Sequence, residues 1–88
     1  MTPALAVEIE AERTRQDAKW GGADHDDEHD VADWVYVILG HVSKSRPTPE
    51  SGPVFRRQMI RVAALAVAAI ESCDRKLRLE QELRAVKP

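Results

Sequence analysis

Residues 54–86, VFRRQMIRVAALAVAAIESCDRKLRLEQELRAV, contain neither proline nor glycine, and they place Phe55, Met59, Val62, Ala66, Ala69, Ile70, Cys73 and Leu77 at helical spacing. One helix of that span is about 50 Å long at the usual rise per residue. That is roughly twice what either preceding segment supplies, so two shorter partners cannot cover it. Its centre, VAALAVAAI (62–70), is apolar around most of its circumference and rich in alanine, which lets neighbouring backbones approach closely. Beyond it Leu79, Leu83 and Val86 form a narrower stripe among charges, suited to packing against another subunit. The fold expected is all-α: two short helices and a long Ala-rich C-terminal helix, assembling as a helical-bundle oligomer.

Working back from that helix, KSRPTPESGP (44–53) holds three prolines, a glycine and two serines and reads as an exposed Pro-rich connector within a single helical domain, 1–88. The preceding helix begins among Asp26 to Asp30, whose carboxylates suit a helix N-terminus, and runs to about Ser43. Val31, Trp34, Val35, Ile38 and Val42 form its stripe. Its WVYVIL segment also suits a strand, but no second strand-like run exists to pair with it, and helix is preferred. The first helix has Thr2 as its cap and Pro3 in its first turn, and it stops at Gly21-Gly22. The face that starts with Leu5 and Ile9 continues through Glu12, Arg13, Gln16 and Trp20, so its apolar stripe turns polar.

At 88 residues the chain makes a modest core, and association between copies is a common way to complete one. The net charge of −2 conceals an asymmetry: residues 1–43 carry ten acids and three Lys/Arg, residues 54–88 four acids and eight Lys/Arg. The halves attract, within one chain or between chains, and the acidic half argues against nucleic acid as a partner. A lone Cys73 excludes a disulfide framework and is expected to behave as a small hydrophobe. Met1 is followed by an acidic helix and not by a basic segment and a long apolar stretch, so neither export nor membrane spanning is expected, and a cytoplasmic protein is.

The chemistry concentrates in ERTRQDAKWGGADHDDEHDVAD (12–33). Arg13, Gln16 and Trp20 share a helical face, and a guanidinium, a carboxamide and an indole pointing one way can clamp phosphate and stack a base. The alternative is structural: Trp20 staples the turn to the core and Arg13 pairs with an acid of the next helix. Lys19 and Arg57 are further candidate phosphate ligands, with His25 and Asp26 for polar selection of base or ribose. Arg56, Arg57 and Arg61 are otherwise a solvated basic face. Two acids, Glu71 and Asp74, follow the apolar run as ExxD and must face water, a cation or a site, with Arg75 or Arg13 as neutralising partners. The His/Asp cluster admits a metal reading, with magnesium favoured over zinc because carboxylates dominate and Cys73 completes no closed set. No phosphate-binding glycine loop or nucleophile motif is present.

In combination, Glu12-Arg13-Thr14-Arg15-Gln16, Lys19-Trp20-Gly21, His25-Asp26-Asp27 and the alanine run ending in Glu71-Ser72-Cys73-Asp74-Arg75 resemble a group of short proteins from bacteriophages and prophages. The likeness covers most of the chain except 44–53. Those proteins are in turn distantly similar to the MazG-like all-α nucleoside triphosphate pyrophosphohydrolases, which hold magnesium with helix-borne ExxE and ExxD acids. Glu71 and Asp74 match the ExxD element, while Glu8 and Glu12 make only ExxxE, so half of the implied cage has no counterpart.

The function expected is therefore sequestration of a nucleotide-derived small molecule, without catalysis or cofactor, by a phage-encoded homo-oligomer. Its ligand-binding residues would be Arg13, Gln16, Lys19, Trp20, His25, Asp26 and Arg57, and the resemblance suggests a host immune signal as the cargo. One alternative is a magnesium-dependent pyrophosphohydrolase with Asp27, Asp30, Glu71 and Asp74 as metal ligands. Another is a module that docks on a host protein through the long helix.

Overall fold

Two consecutive glycines reverse the chain between its first two helices. Gly21 (φ 112°) closes α1 by donating its N–H to the Asp17 carbonyl, and Gly22 (φ 70°) follows, both in backbone conformations open to residues without a Cβ. A Cβ on Gly21 would also meet that of His25 at 3.4 Å, so the turn and the placement of His25 are one feature. The computed structural model describes residues 1–44 and 52–86. In order, the helices are α1 (Pro3–Trp20), α2 (Gly22–Asp26), α3 (Val31–Ser43) and α4 (Gly52–Ala85). The all-α class, two helices and then a long C-terminal one, matches the sequence reading, and WVYVIL is helical.

The short α2 is the addition. Its segment reads as a plain Gly-Gly turn, yet nothing after Gly22 prevents helical winding, and Ala23 to Asp26 close one turn before Asp27 ends it. The start of α3 is fixed by Asp30, the last of the five positions open to it. Its carboxylate accepts from the Asp33 N–H at 2.8 Å, and Asp33 returns the bond to the Asp30 N–H at 3.0 Å. Because α4 already begins at Gly52, the last two residues of the sequence-read connector are helical, and Pro53 sits in the first turn, where its missing N–H costs nothing. Residues 45–51 of that connector lie outside the described residues.

Both α1 and α3 pack on α4, and their backbones do not approach each other within 8 Å. The three helices thus make an open layer with a gap between its outer members. The apolar core at the seam is small: Ala64, Leu65 and Ala68, with Ser72 fully enclosed below them. Alanine at this seam is what lets two helices lie close against one. Two buried glutamines tie the layer together. Gln16 of α1 donates to the Arg61 carbonyl of α4 at 3.3 Å, and Gln58 of α4 donates to the His41 carbonyl of α3 at 2.7 Å. Such bonds satisfy buried amides that would otherwise be costly.

The charge asymmetry between the halves is realised inside one chain. Arg56 pairs with Glu8 and Arg75 with Asp27, while Arg13 of α1 reaches the other way to Glu71. Arg13–Glu71 is one of the two structural partnerships open to Glu71 from sequence; the acid is on α4, not on the helix after the turn. The length argument also holds. The molecule extends 62 Å along its longest axis, and Ile70, Leu77, Leu79 and Leu83 on α4 remain exposed. So do Val31, Val35, Tyr36, Leu39 and Val42 along α3. Cys73 is free and exposed, not a core hydrophobe as its position suggests.

Candidate functional site

The gap between α1 and α3 is a cleft of about 160 Å³. Gln16, Asp17 and Trp20 line it from α1, His25 and Asp26 from α2, His29 from the turn that follows, and Trp34, Val37 and His41 from α3. Leu65 and Ala68 of α4 form its floor. The reversal at Gly21-Gly22 swings α2 across one end, which is why residues close in sequence face Trp34 and His41 across space.

Four rings follow one another around this end. Trp20 stacks with His25 at a centroid separation of 6.0 Å and an interplanar angle of 25°. His25 meets His29 edge-on at 4.9 Å, and His29 lies 4.8 Å from Trp34. Trp20 is 54 % exposed, and the Lys19 ammonium stands 4.9 Å from its ring centroid, within cation–π range. Indole and imidazole faces over an aliphatic floor, with a few polar groups at the edge, are the composition of a site for a planar ring.

The polar groups are partly committed. Gln16 uses its amide N–H bonds on Glu12 and the Arg61 carbonyl, and among the described residues nothing donates to its carbonyl oxygen. His29 Nδ1 lies 3.2 Å from the His25 carbonyl, an acceptor, so Nδ1 is the protonated nitrogen. Gln58 Nε2 lies 3.3 Å from His41 Nδ1 while donating to the His41 carbonyl; an amide nitrogen only donates, so neutral His41 carries its proton on Nε2. Burial, aided by the charges of Lys44 and Arg61, pushes the His41 imidazole below its ordinary value of 6.5, against an opposing pull from Glu12. A lowered histidine value means that stability from neutral His41 is complete above 6.5 and is lost as the pH falls from there through the folded value. Urea unfolding midpoints should therefore decline between pH 7.5 and 5 more steeply in the wild type than in His41→Gln; parallel slopes would show that His41 titrates as in the unfolded chain.

Of the residues singled out from sequence, Gln16, Trp20, His25 and Asp26 are brought together in the cleft. The cations are not. Arg13 is held in an ion pair with Glu71 and does not line the cleft, and Arg57 lines a separate groove with Glu8, Glu12, Arg15, Arg56 and Arg61. Lys19 is at the Trp20 rim only. A phosphate clamp of Arg13, Lys19 and Arg57 is thus not assembled within the chain, because Glu71 of α4 draws Arg13 and α4 places Arg57 elsewhere.

The carboxylates of the metal reading are also dispersed. Asp27 accepts from Ser72 Oγ at 2.8 Å and from Arg75 at 2.7 Å, and Arg75 and Ser72 together hold its carboxyl below the usual range. Asp30 caps α3, Glu71 pairs with Arg13, and Asp74 is exposed. Among the described residues no three His, Cys, Asp or Glu side chains group as metal ligands. The donor set of Asp27, Asp30, Glu71 and Asp74 does not fit a magnesium cage in this arrangement.

Sequence reasoning places His29 in the His/Asp metal cluster and Trp34 in the apolar stripe, not in a ligand site, and it passes over His41. Trp34 and His41 lie seven apart on the α3 face that carries Val37 between them, and His29 is four beyond His25, so the spacing was available. Trp34 reads as core stripe because nothing local reveals that α1 stands off from α3. Compared with known proteins, the chain matches no family model, no curated protein and no solved structure.

Proposed function

We propose that this protein binds, without transforming, a nucleotide-derived small molecule, and that it does so by enclosing the ring between Trp20 and Trp34. The observation that carries this reading is the run Trp20–His25–His29–Trp34 around an open cleft with an aliphatic floor. A volume of about 160 Å³ suits one ring system and is well below the roughly 300 Å³ at which pockets that engulf a whole drug-sized ligand begin. The sugar and phosphates therefore project outward past Trp20, where Lys19 is the nearest cation.

A single lysine holds a phosphate weakly, and the remaining contacts come from a second copy of the chain. The apolar face of α3 and the uncovered end of α4 supply the association surface. In the phage setting implied by the sequence resemblance, such an oligomer is a sponge that withdraws a host immune nucleotide from circulation. Binding rather than hydrolysis is favoured because Arg13 and Arg75 neutralise Glu71 and Asp27, the acids that hydrolysis would require on a metal.

Native mass spectrometry of the protein purified from bacteria tests this directly. The expected spectrum has an oligomer with a nucleotide-class adduct, or, for ligand-free protein, uptake of one from a nucleotide panel. A monomer that takes up none of the panel, with unchanged tryptophan fluorescence, would overturn the reading.

A further inference from the structure

Asp26 is only 8 % exposed and lines the aromatic cleft, yet among the described residues no hydrogen bond is donated to its carboxylate. Its neighbours have other partners. Arg75 binds Asp27, Arg13 binds Glu71, and the Ser72 hydroxyl faces the Asp26 backbone carbonyl and the Asp27 carboxylate. His25 Nδ1 is 3.5 Å from Asp26 Oδ1 and makes no hydrogen bond. Asp26 is at the end of α2, where a carboxylate does not cap the helix. Neither of its oxygens is among the wholly buried atoms that lack a partner, so the carboxylate keeps contact with solvent, and its donors come from water or from a molecule in the cleft.

We infer that Asp26 reads the edge of the bound ring and selects guanine over adenine; this rests on the ring-binding reading above. An ionised carboxylate offers two acceptor oxygens and no proton. Guanine presents adjacent N1–H and N2–H donors, which engage both oxygens in the paired geometry that makes such contacts strong. Adenine presents a lone pair at N1 beside its N6 amine, so one carboxylate oxygen faces an acceptor and stays unpaired. Hypoxanthine, with N1–H but no 2-amino group, falls between. The proton on His41 Nε2 and the carbonyl oxygen of Gln16 are a donor and an acceptor for other positions of the ring.

Calorimetric titration of the whole protein with GMP, IMP and AMP tests the inference. The expected order is GMP, then IMP, then AMP, with GMP over AMP by roughly ten- to a hundred-fold, the span of one good bidentate base contact. In Asp26→Asn the preference for GMP is lost or reversed, because the amide can donate to adenine N1 and accept from its N6 amine, and the thermal midpoint stays near that of the wild type. AMP binding as tightly as GMP, with Trp20 fluorescence still quenched, would overturn guanine selection and leave ring binding standing, as would a GMP preference that survives in Asp26→Asn. No binding of any purine nucleotide would overturn both.

Discussion

Leu65→Ala is expected to lower the unfolding free energy by roughly 2–5 kcal/mol, the range for emptying a buried leucine site. The fraction is what makes this large. A domain of this size has roughly 4–13 kcal/mol in total. Its buried apolar side chains among the described residues are Ala64, Leu65 and Ala68, and of these Leu65 alone is bulky. Leu65 sits at the seam and also floors the cleft, while the other large apolar side chains of α4, such as Met59, Ile60, Val62 and Val67, are only half-buried. Urea denaturation followed by circular dichroism reads the effect, with Ile70→Ala as the contrast: Ile70 is exposed on the same helix and should cost well under 1 kcal/mol. A Leu65→Ala loss as small as that of Ile70→Ala would mean that the stability resides elsewhere, at an interface between copies.

The second large effect is on binding. Trp20→Ala is expected to abolish retention of the ligand through purification while leaving helicity and the thermal midpoint nearly unchanged. An indole that stacks a base contributes about 1–3 kcal/mol, or roughly 5- to 150-fold in affinity, enough to lose a small molecule on dilution. Trp20 is half exposed and at the last position of α1, so its removal takes away a wall of the cleft and little of the core. Retention at wild-type level would remove the cleft as the binding site. A large fall in the midpoint would instead mark Trp20 as the staple of the turn.

The helices were legible because their signals are local. The proline- and glycine-free run after Val54, the Thr2 cap with Pro3, and the aspartates before Val31 each act within a few residues, and each is where the pattern puts it. Only α2 escaped, since one turn of helix leaves no periodicity to read. Half of the site was legible for the same reason: Gln16 and Trp20 share a face, and the glycine turn brings His25 and Asp26 beside them. The other half depends on which helices touch. Trp34 reads as core until α3 is seen to lean on α4 and not on α1, and the choice between Arg13 as a phosphate ligand and Arg13 as a partner of Glu71, 58 residues away, needs the two helices placed together. Charge partners at that separation have no signature in spacing.

Since α1 and α3 rest on α4 with their Cα atoms more than 8 Å apart, their separation works like the jaws of a caliper whose setting is the bulk of the alanines beneath them. Ala64 is fully enclosed and does not line the cleft, so the aperture answers to a position that no bound molecule can reach. On the proposed ring-binding reading, size discrimination and edge recognition reside in different helices, α4 and α2, so each can change while the other is held constant.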